Sequence, residues 1–301
     1  MAGEPRDRDA RALASPAGPP ATKVARNLQV ASSREFVYVD RNGRVRSPAR
    51  LRANQIVSYG LMAGLLGGAT AIYYATLGPA GIVVGGVLGL WFARVIGTGF
   101  SLGAGLRLMV ADRFDDAAAV FTGIARGRFV PRRLRANAEH HLGHCRAIAG
   151  QHEEALALYR SAVARWGGSR GLRGALARRS EVFALINLGR LTEARAHLAA
   201  LGPAPEGEYL RLQHWTLELY LALAEGHHDL PEEELYRRSR AALAITTAAA
   251  LLGLLAWAYQ QRGDQEMCRH LLAECLDRHF GPRISGSLPL LQRWLDEASA
   301  G

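Results

Sequence analysis

The stretch Ala53–Ala93 reads ANQIVSYGLMAGLLGGATAIYYATLGPAGIVVGGVLGLWFA and holds no Asp, Glu, Lys or Arg. As one helix it would extend about 60 Å, twice the roughly 30 Å of a bilayer's hydrocarbon core. A single span cannot use that length, whereas two spans can. Leu77-Gly78-Pro79, near the middle, is the strongest helix punctuation in the region. The pattern predicts two membrane-spanning helices, at about 55–76 and 80–98, joined by a tight turn. The soluble alternative is a buried helical hairpin, but nothing else in the chain is large enough to surround one.

Working outward, the charges on either side set a topology. Arg41, Arg44, Arg46, Arg50 and Arg52 precede the first span; Arg107, Arg113, Arg126, Arg128, Arg132, Arg133 and Arg135 follow the second. The turn between the spans is uncharged. The positive-inside rule then places both termini in the cytoplasm and the turn outside, in a bacterial-type inner (cell) membrane. Arg94 falls about 22 Å along the second helix, close enough to the cytoplasmic headgroups for its side chain to snorkel. Both spans carry glycine every fourth residue: Gly60, Gly64 and Gly68 in the first, Gly81, Gly85 and Gly89 in the second. Such stripes let helix backbones approach closely, within the hairpin or between copies of the chain in a homo-oligomer.

The 301 residues carry a net charge of +10, almost all of it arginine, since Lys23 is the only lysine. The membrane flanks absorb most of this excess, so a nucleic-acid partner is not expected. Nearly half the residues are apolar (49%) but only 7% are aromatic; alanine and leucine dominate, and both favour helix. Three cysteines, Cys145, Cys268 and Cys275, are too few for a disulfide framework and suit a reducing compartment. Residues 1–52 form a basic tail. Its first 33 or so positions are rich in Ala, Pro, Gly, Arg and Asp with no apolar period, a composition expected to stay disordered. Two short β-prone runs around Asn42-Gly43 predict a small type I′ β-hairpin at its end. The hairpin domain occupies 53–98, and 99–301 forms a separate helical domain.

That last domain repeats itself. Asp112-Arg113-Phe114-Asp115-Asp116-Ala117 precedes Phe121 and Ile124. Gly150-Gln151-His152-Glu153-Glu154-Ala155 follows Leu142-Gly143 and precedes Tyr159 and Ala162. Leu188-Gly189-Arg190-Leu191-Thr192-Glu193-Ala194 precedes Leu198 and Leu201. Leu255-Ala256 and Tyr259 are followed by Gly263-Asp264, Cys268, Leu272 and Cys275. The anchors Ala117, Ala155 and Ala194 recur every 38 or 39 residues, within the range of helical solenoids. Gly150, Gly189 and Gly263 stand where the first helix of a pair must end in a left-handed residue. Small residues (Gly143 with Ala155, Ala256 with Cys268) allow close helix crossing, and each pair leaves an apolar face that the next must cover.

On these residues the domain, over roughly 98–280, resembles the tetratricopeptide repeat family. It departs from that pattern in its longer repeats, and Glu139, Arg178 and Leu252 replace the large aromatic near the start of the unit. The copy with Trp215 and Leu219 starts its second helix late, after Pro231, and lacks the small anchor. Ser287–Ala298, with Leu290, Leu291, Trp294 and Leu295, reads as an amphipathic capping helix. The resemblance implies an all-α solenoid whose first helices line a groove for a protein or peptide partner. The matching groove positions are Asn137, His140, His144, Arg179, Phe183, Asn187, Thr216, Tyr220, Trp257 and Gln261, a mixed surface suited to an acidic or aromatic-bearing peptide.

No catalytic, cofactor or metal constellation emerges. His140, His141, His144 and Cys145 share a helix at i,i+4 spacings, but no third ligand follows by spacing and no acidic residue stands between them as in a metalloprotease helix. Nucleotide loops and nucleophile elbows are absent, and the Gly97–Gly105 run lacks the preceding strand that a dinucleotide loop requires. The expected function is therefore that of a membrane-tethered protein-interaction scaffold presenting its groove to the cytoplasm. The alternative from another class is a glycine-zippered oligomer acting as a pore or transport component.

Overall fold

The computed structural model describes residues 38–39, 45–46, 60, 64, 67–68, 71–72, 74–76, 78–168, 172–205, 207–226, 228–245, 248–278 and 286–300. The expected disordered tail at 1–33 and most of the expected first span lie outside them. Of that span, Gly60, Gly64, Gly67, Gly68, Ala71, Ile72 and Tyr74–Thr76 are helical. Gly78 follows at φ 58 and ψ −137, backbone that only glycine takes readily, and Pro79 starts the next helix at its first turn. The punctuation at Leu77-Gly78-Pro79 thus does end one helical stretch and begin another.

Tyr38–Val39 and Val45–Arg46 form a two-stranded antiparallel ladder. Its register pairs Val39 with Val45. A two-residue turn at Asn42-Gly43 would instead pair Val39 with Arg46; the connection expected there, at 40–44, lies outside the described residues.

The rest is all-helical. Helices α1 (Pro79–Val110) and α2 (Phe114–Arg126) form the first antiparallel pair. They are followed by α3 (Arg132–Ile148) with α4 (His152–Trp166), and α5 (Leu172–Asn187) with α6 (Leu191–Ala200). Then come α7 (Glu208–Ala224) with α8 (Glu232–Leu243), and α9 (Ala249–Gln261) with α10 (Gln265–Asp277). A final helix, α11, spans Pro289–Ala300. Each first helix also touches the first helix of the next pair, which is the stacking of a solenoid.

One turn recurs through all five pairs. Gly150, Gly189, Gly226 and Gly263 adopt positive φ between the paired helices, and Asp112 does the same (φ 58) in the first pair. In four of them the next residue donates back across the turn, as Arg113 to Leu108, Gln151 to Arg146, Arg190 to Leu185 and Asp264 to Tyr259. That is the Schellman arrangement, which satisfies carbonyls the helix end would leave open. Ala117, Ala155 and Ala194 are fully buried, as small anchors at crossings must be. Gly143 admits an aromatic ring: a β-carbon there would lie 2.5 Å from Cε1 of Tyr159. Gly105 similarly makes room for Phe121, locking α2 onto α1.

α1 runs unbroken through the expected domain boundary at 98–99. Between Val83 and Phe100 it exposes Val83 (67%), Val87, Leu90 (74%), Trp91 and Phe100, whereas Gly105 and Met109 further on are buried under the first repeat. Val83–Val110 is the one helix among the described residues long and apolar enough to cross a membrane. The expected packing of the two glycine stripes is not seen where it can be read. A β-carbon at Gly60, Gly64, Gly68 or Gly89 would meet nothing within 4 Å; Gly85 is buried, and the surroundings of Gly81 lie outside the described residues.

Candidate functional site

The surface expected to bind a partner is built by α3, α5, α7 and α9. The ten positions assigned to it divide three ways. Asn137, Arg179 and Thr216 are buried in helix packing rather than open to a ligand. The Asn137 amide oxygen accepts from Arg173, and the Thr216 hydroxyl donates to the Leu212 carbonyl of its own helix. His140 and His144 also face the interior. The Tyr159 hydroxyl is hydrogen-bonded to Nδ1 of His144 (3.2 Å), and His140 Nε2 donates to Ser180 Oγ (3.2 Å), whose proton goes to the Leu176 carbonyl.

These rings cluster with His141, which stacks on Phe121. Burial holds all three histidines neutral, pushing His141 down to about 3 and His144 to about 4; the positive charge His144 would carry depresses His140 and His141 further. Their ring nitrogens thus serve packing, and no three His, Cys, Asp or Glu side chains converge as a metal set among the described residues.

The remaining five are Phe183, Asn187, Tyr220, Trp257 and Gln261. Phe183 is half-buried and its ring stands 6.2 Å from that of Tyr220. Tyr220, expected to be exposed, is fully buried; its hydroxyl donates to the Asn187 side-chain oxygen at 2.7 Å, and burial pushes the phenol well above its usual range. Gln261 is exposed. The chain itself covers this surface. Asn187 donates from Nδ2 to the Ser287 carbonyl (2.8 Å), and the Leu290 amide donates to the Tyr220 hydroxyl (3.4 Å). Trp294 stacks on Trp257 with ring centres 5.9 Å apart and planes 12° apart, and its indole N–H donates to Gln260 Oε1. Leu291 lies against Gly253, and Gly286 sits directly on the backbone of Ile148. The segment Gly286–Trp294 therefore touches α3, α5, α7 and α9 in turn. The expected capping helix lies across the positions expected to form the groove.

Positions that depart from the repeat pattern are repaired by charge. Glu139 takes Arg165 Nε on both oxygens (2.8 and 2.9 Å) and accepts from Ser161. Arg178 binds Glu181 (2.6 Å), a carboxylate only 1% exposed that also takes Arg160 (2.9 Å) and neighbours His197. Trp215, on the pair lacking a small anchor, is enclosed by the guanidiniums of Arg211, Arg237 and Arg238, each a little over 5 Å from the ring centre. Composition showed these charges but not that Glu139, Glu181 and Arg238 are buried, because helix periodicity assigns a face without saying what the neighbouring pair covers.

At the other end of the solenoid, Ala93, Arg94, Gly97, Thr98 and Ser101 of α1 and Gly123, Ile124 and Val130 line a cleft of about 550 Å³. The Gly127–Pro131 loop beside it holds Phe129 at φ 60 with the side chain 80% exposed. Comparison with family models, curated proteins and solved structures finds no match for the chain.

Proposed function

We propose that the chain is a membrane-tethered scaffold of tetratricopeptide-like repeats, anchored by a helical hairpin and presenting its inner groove to a protein partner in the cytoplasm. The observation that carries the tether is the apolar face of α1 from Val83 to Phe100. Valine, leucine, tryptophan and phenylalanine side chains lie open there over nearly five helical turns, more apolar surface than a soluble monomer sustains. Apart from Gly85 and Thr98, burial begins where the first repeat begins. Exposed Arg94, Arg126, Arg128, Arg132 and Arg133 fall near that level, as does Phe129, an aromatic side chain suited to the headgroup zone. The recurring turns and five stacked pairs support the repeat reading, and the aromatic-lined inner surface supports a peptide-binding role.

Membrane fractionation of the full-length chain tests the tether. Expected is a protein that sediments with membranes, resists high salt and alkaline carbonate, and is released only by detergent. A monodisperse soluble species in a detergent-free, high-salt extract would overturn it. The open glycine faces at Gly60, Gly64, Gly68 and Gly89 favour a second reading, in which copies associate through the membrane helices as a pore or transport component. Crosslinked oligomers in membranes that vanish in a Gly64→Leu/Gly89→Leu variant would support it; oligomers that survive would remove it.

A further inference from the structure

The positions assigned to the groove are already covered, by residues 286–300 of the same chain. We propose that residues 286–300 act as a displaceable internal ligand of the solenoid, and that the external partner is an amphipathic helix presenting the same leucine–tryptophan face. The partner half of this inference rests on the scaffold reading above; the docking half does not.

A helix that merely closed the end of the stack would lie on the last pair. Here the segment instead crosses the inner surface, from Ile148 at the end of α3, past Asn187 of α5 and Tyr220 of α7, to Gly253, Trp257 and Gln260 of α9. Its anchors follow the spacing of a helix laid in a groove. Leu288, Leu291, Trp294 and Leu295 are buried, while Arg293, Asp296 and Glu297 on the far side are exposed. The polar contacts are of a transferable kind. Asn187 reads a main-chain carbonyl and the Tyr220 hydroxyl a main-chain N–H, so neither depends on the side chain at that position. Specificity rests on two features: an indole that stacks on Trp257 with its N–H on Gln260, and a leucine facing Gly253. Gly286 adds a close-approach point on Ile148 where a side chain would collide with backbone. Any helix carrying Leu-x-x-Leu-x-x-Trp on one face satisfies these demands, which defines the chemistry of a competing partner.

The test uses full-length protein in detergent and a fluorescein-labelled peptide of residues 286–300, read by fluorescence anisotropy. A Leu291→Ala/Trp294→Ala variant, whose own tail no longer fits, is expected to bind the peptide. Wild type is expected to bind it at least about tenfold more weakly, the internal tail keeping the groove open less than a tenth of the time. A peptide carrying the same two alanines should bind neither. Equal affinities of wild type and variant, or a variant with wild-type helicity that ignores the peptide, would overturn the proposal. Should the variant fail to fold, a protease site inserted after Arg283 provides a second route. After cleavage, excess peptide is expected to exchange with the severed tail, and a tail that never exchanges would refute displaceability. Neither arm involves a cellular partner, so a failed partner search leaves their outcome unchanged.

Discussion

Gly143→Ala is the sharpest probe of how the first complete repeat packs. In an exposed helix interior the change gains about 1 kcal/mol from backbone entropy. Here the added methyl would sit 2.5 Å from Cε1 and 2.9 Å from Cδ1 of Tyr159, about an ångström inside normal contact. Tyr159 cannot step aside. Its side chain is 2% exposed, its hydroxyl is bonded to His144, and the His140 and His144 rings stand 5.7 and 5.4 Å from its own. Overpacking of this kind costs about 1–3 kcal/mol, and so little freedom puts the site at the upper end. The net expectation is a loss of about 2 kcal/mol, which at roughly 2–4 °C per kcal/mol lowers the melting midpoint by several degrees. Far-UV circular dichroism melts of the detergent-solubilised full-length protein measure it. Gly123→Ala on α2 is the control, since its β-carbon would meet nothing within 4 Å, and that variant should gain about 0.5–1 kcal/mol. A Gly143→Ala protein as stable as wild type, or one no less stable than Gly123→Ala, would refute the claim that this glycine exists to admit the Tyr159 ring.

Two further outcomes follow from buried groups. His141 and His144 titrate near 3 and 4 when folded but near 6.5 when unfolded, so their stabilisation is complete above about pH 6.5 and is lost as pH falls toward 4. The limit is about 3 kcal/mol from His144 alone, and melts at pH 7.5 and 4.5 should show a drop that His144→Asn reduces; an unchanged pH slope in that variant would contradict the assignment. Glu181→Gln leaves Arg160 and Arg178 without their shared carboxylate; because both guanidiniums reach solvent, the expected loss is about 2 kcal/mol rather than the 3–5 of a fully buried pair, again read by thermal melting.

The parts of this fold that were legible beforehand are those where backbone geometry forces residue choice. A left-handed position between antiparallel helices calls for glycine, so Gly150, Gly189 and Gly263 marked the repeat, and the wholly buried Ala117, Ala155 and Ala194 marked the crossings. The first copy was legible from Asp112–Ala117, but not that Asp112 itself takes the left-handed position, since aspartate does so far less often than glycine. Charged side chains in the interior were not legible at all. Nothing local distinguishes Glu181, enclosed by two arginines, from the exposed glutamates around it. The groove was misjudged at Tyr220 for a different reason. Its cover comes from a segment whose bond to Asn187 closes a separation of 100 residues, and periodicity within one helix carries no information at that range.

On the membrane reading, the continuity of α1 has a mechanical consequence. Its 32 residues make a rod of about 48 Å, of which a span takes about 30 Å and the first repeat takes the remainder. Phe121 fills the notch at Gly105 and fixes α2 to that remainder, and each later pair is fixed by its neighbour. With α1 in the bilayer as proposed, no linker would intervene between membrane and solenoid, and the proposed groove would keep a set angle to the membrane plane. A partner helix displacing residues 286–300 would therefore meet the groove in one orientation relative to the lipid surface. That constraint favours a partner which is itself held at the membrane, since its tether would make the encounter intramolecular in effect and let a modest intrinsic affinity compete with a tail bound in the same chain.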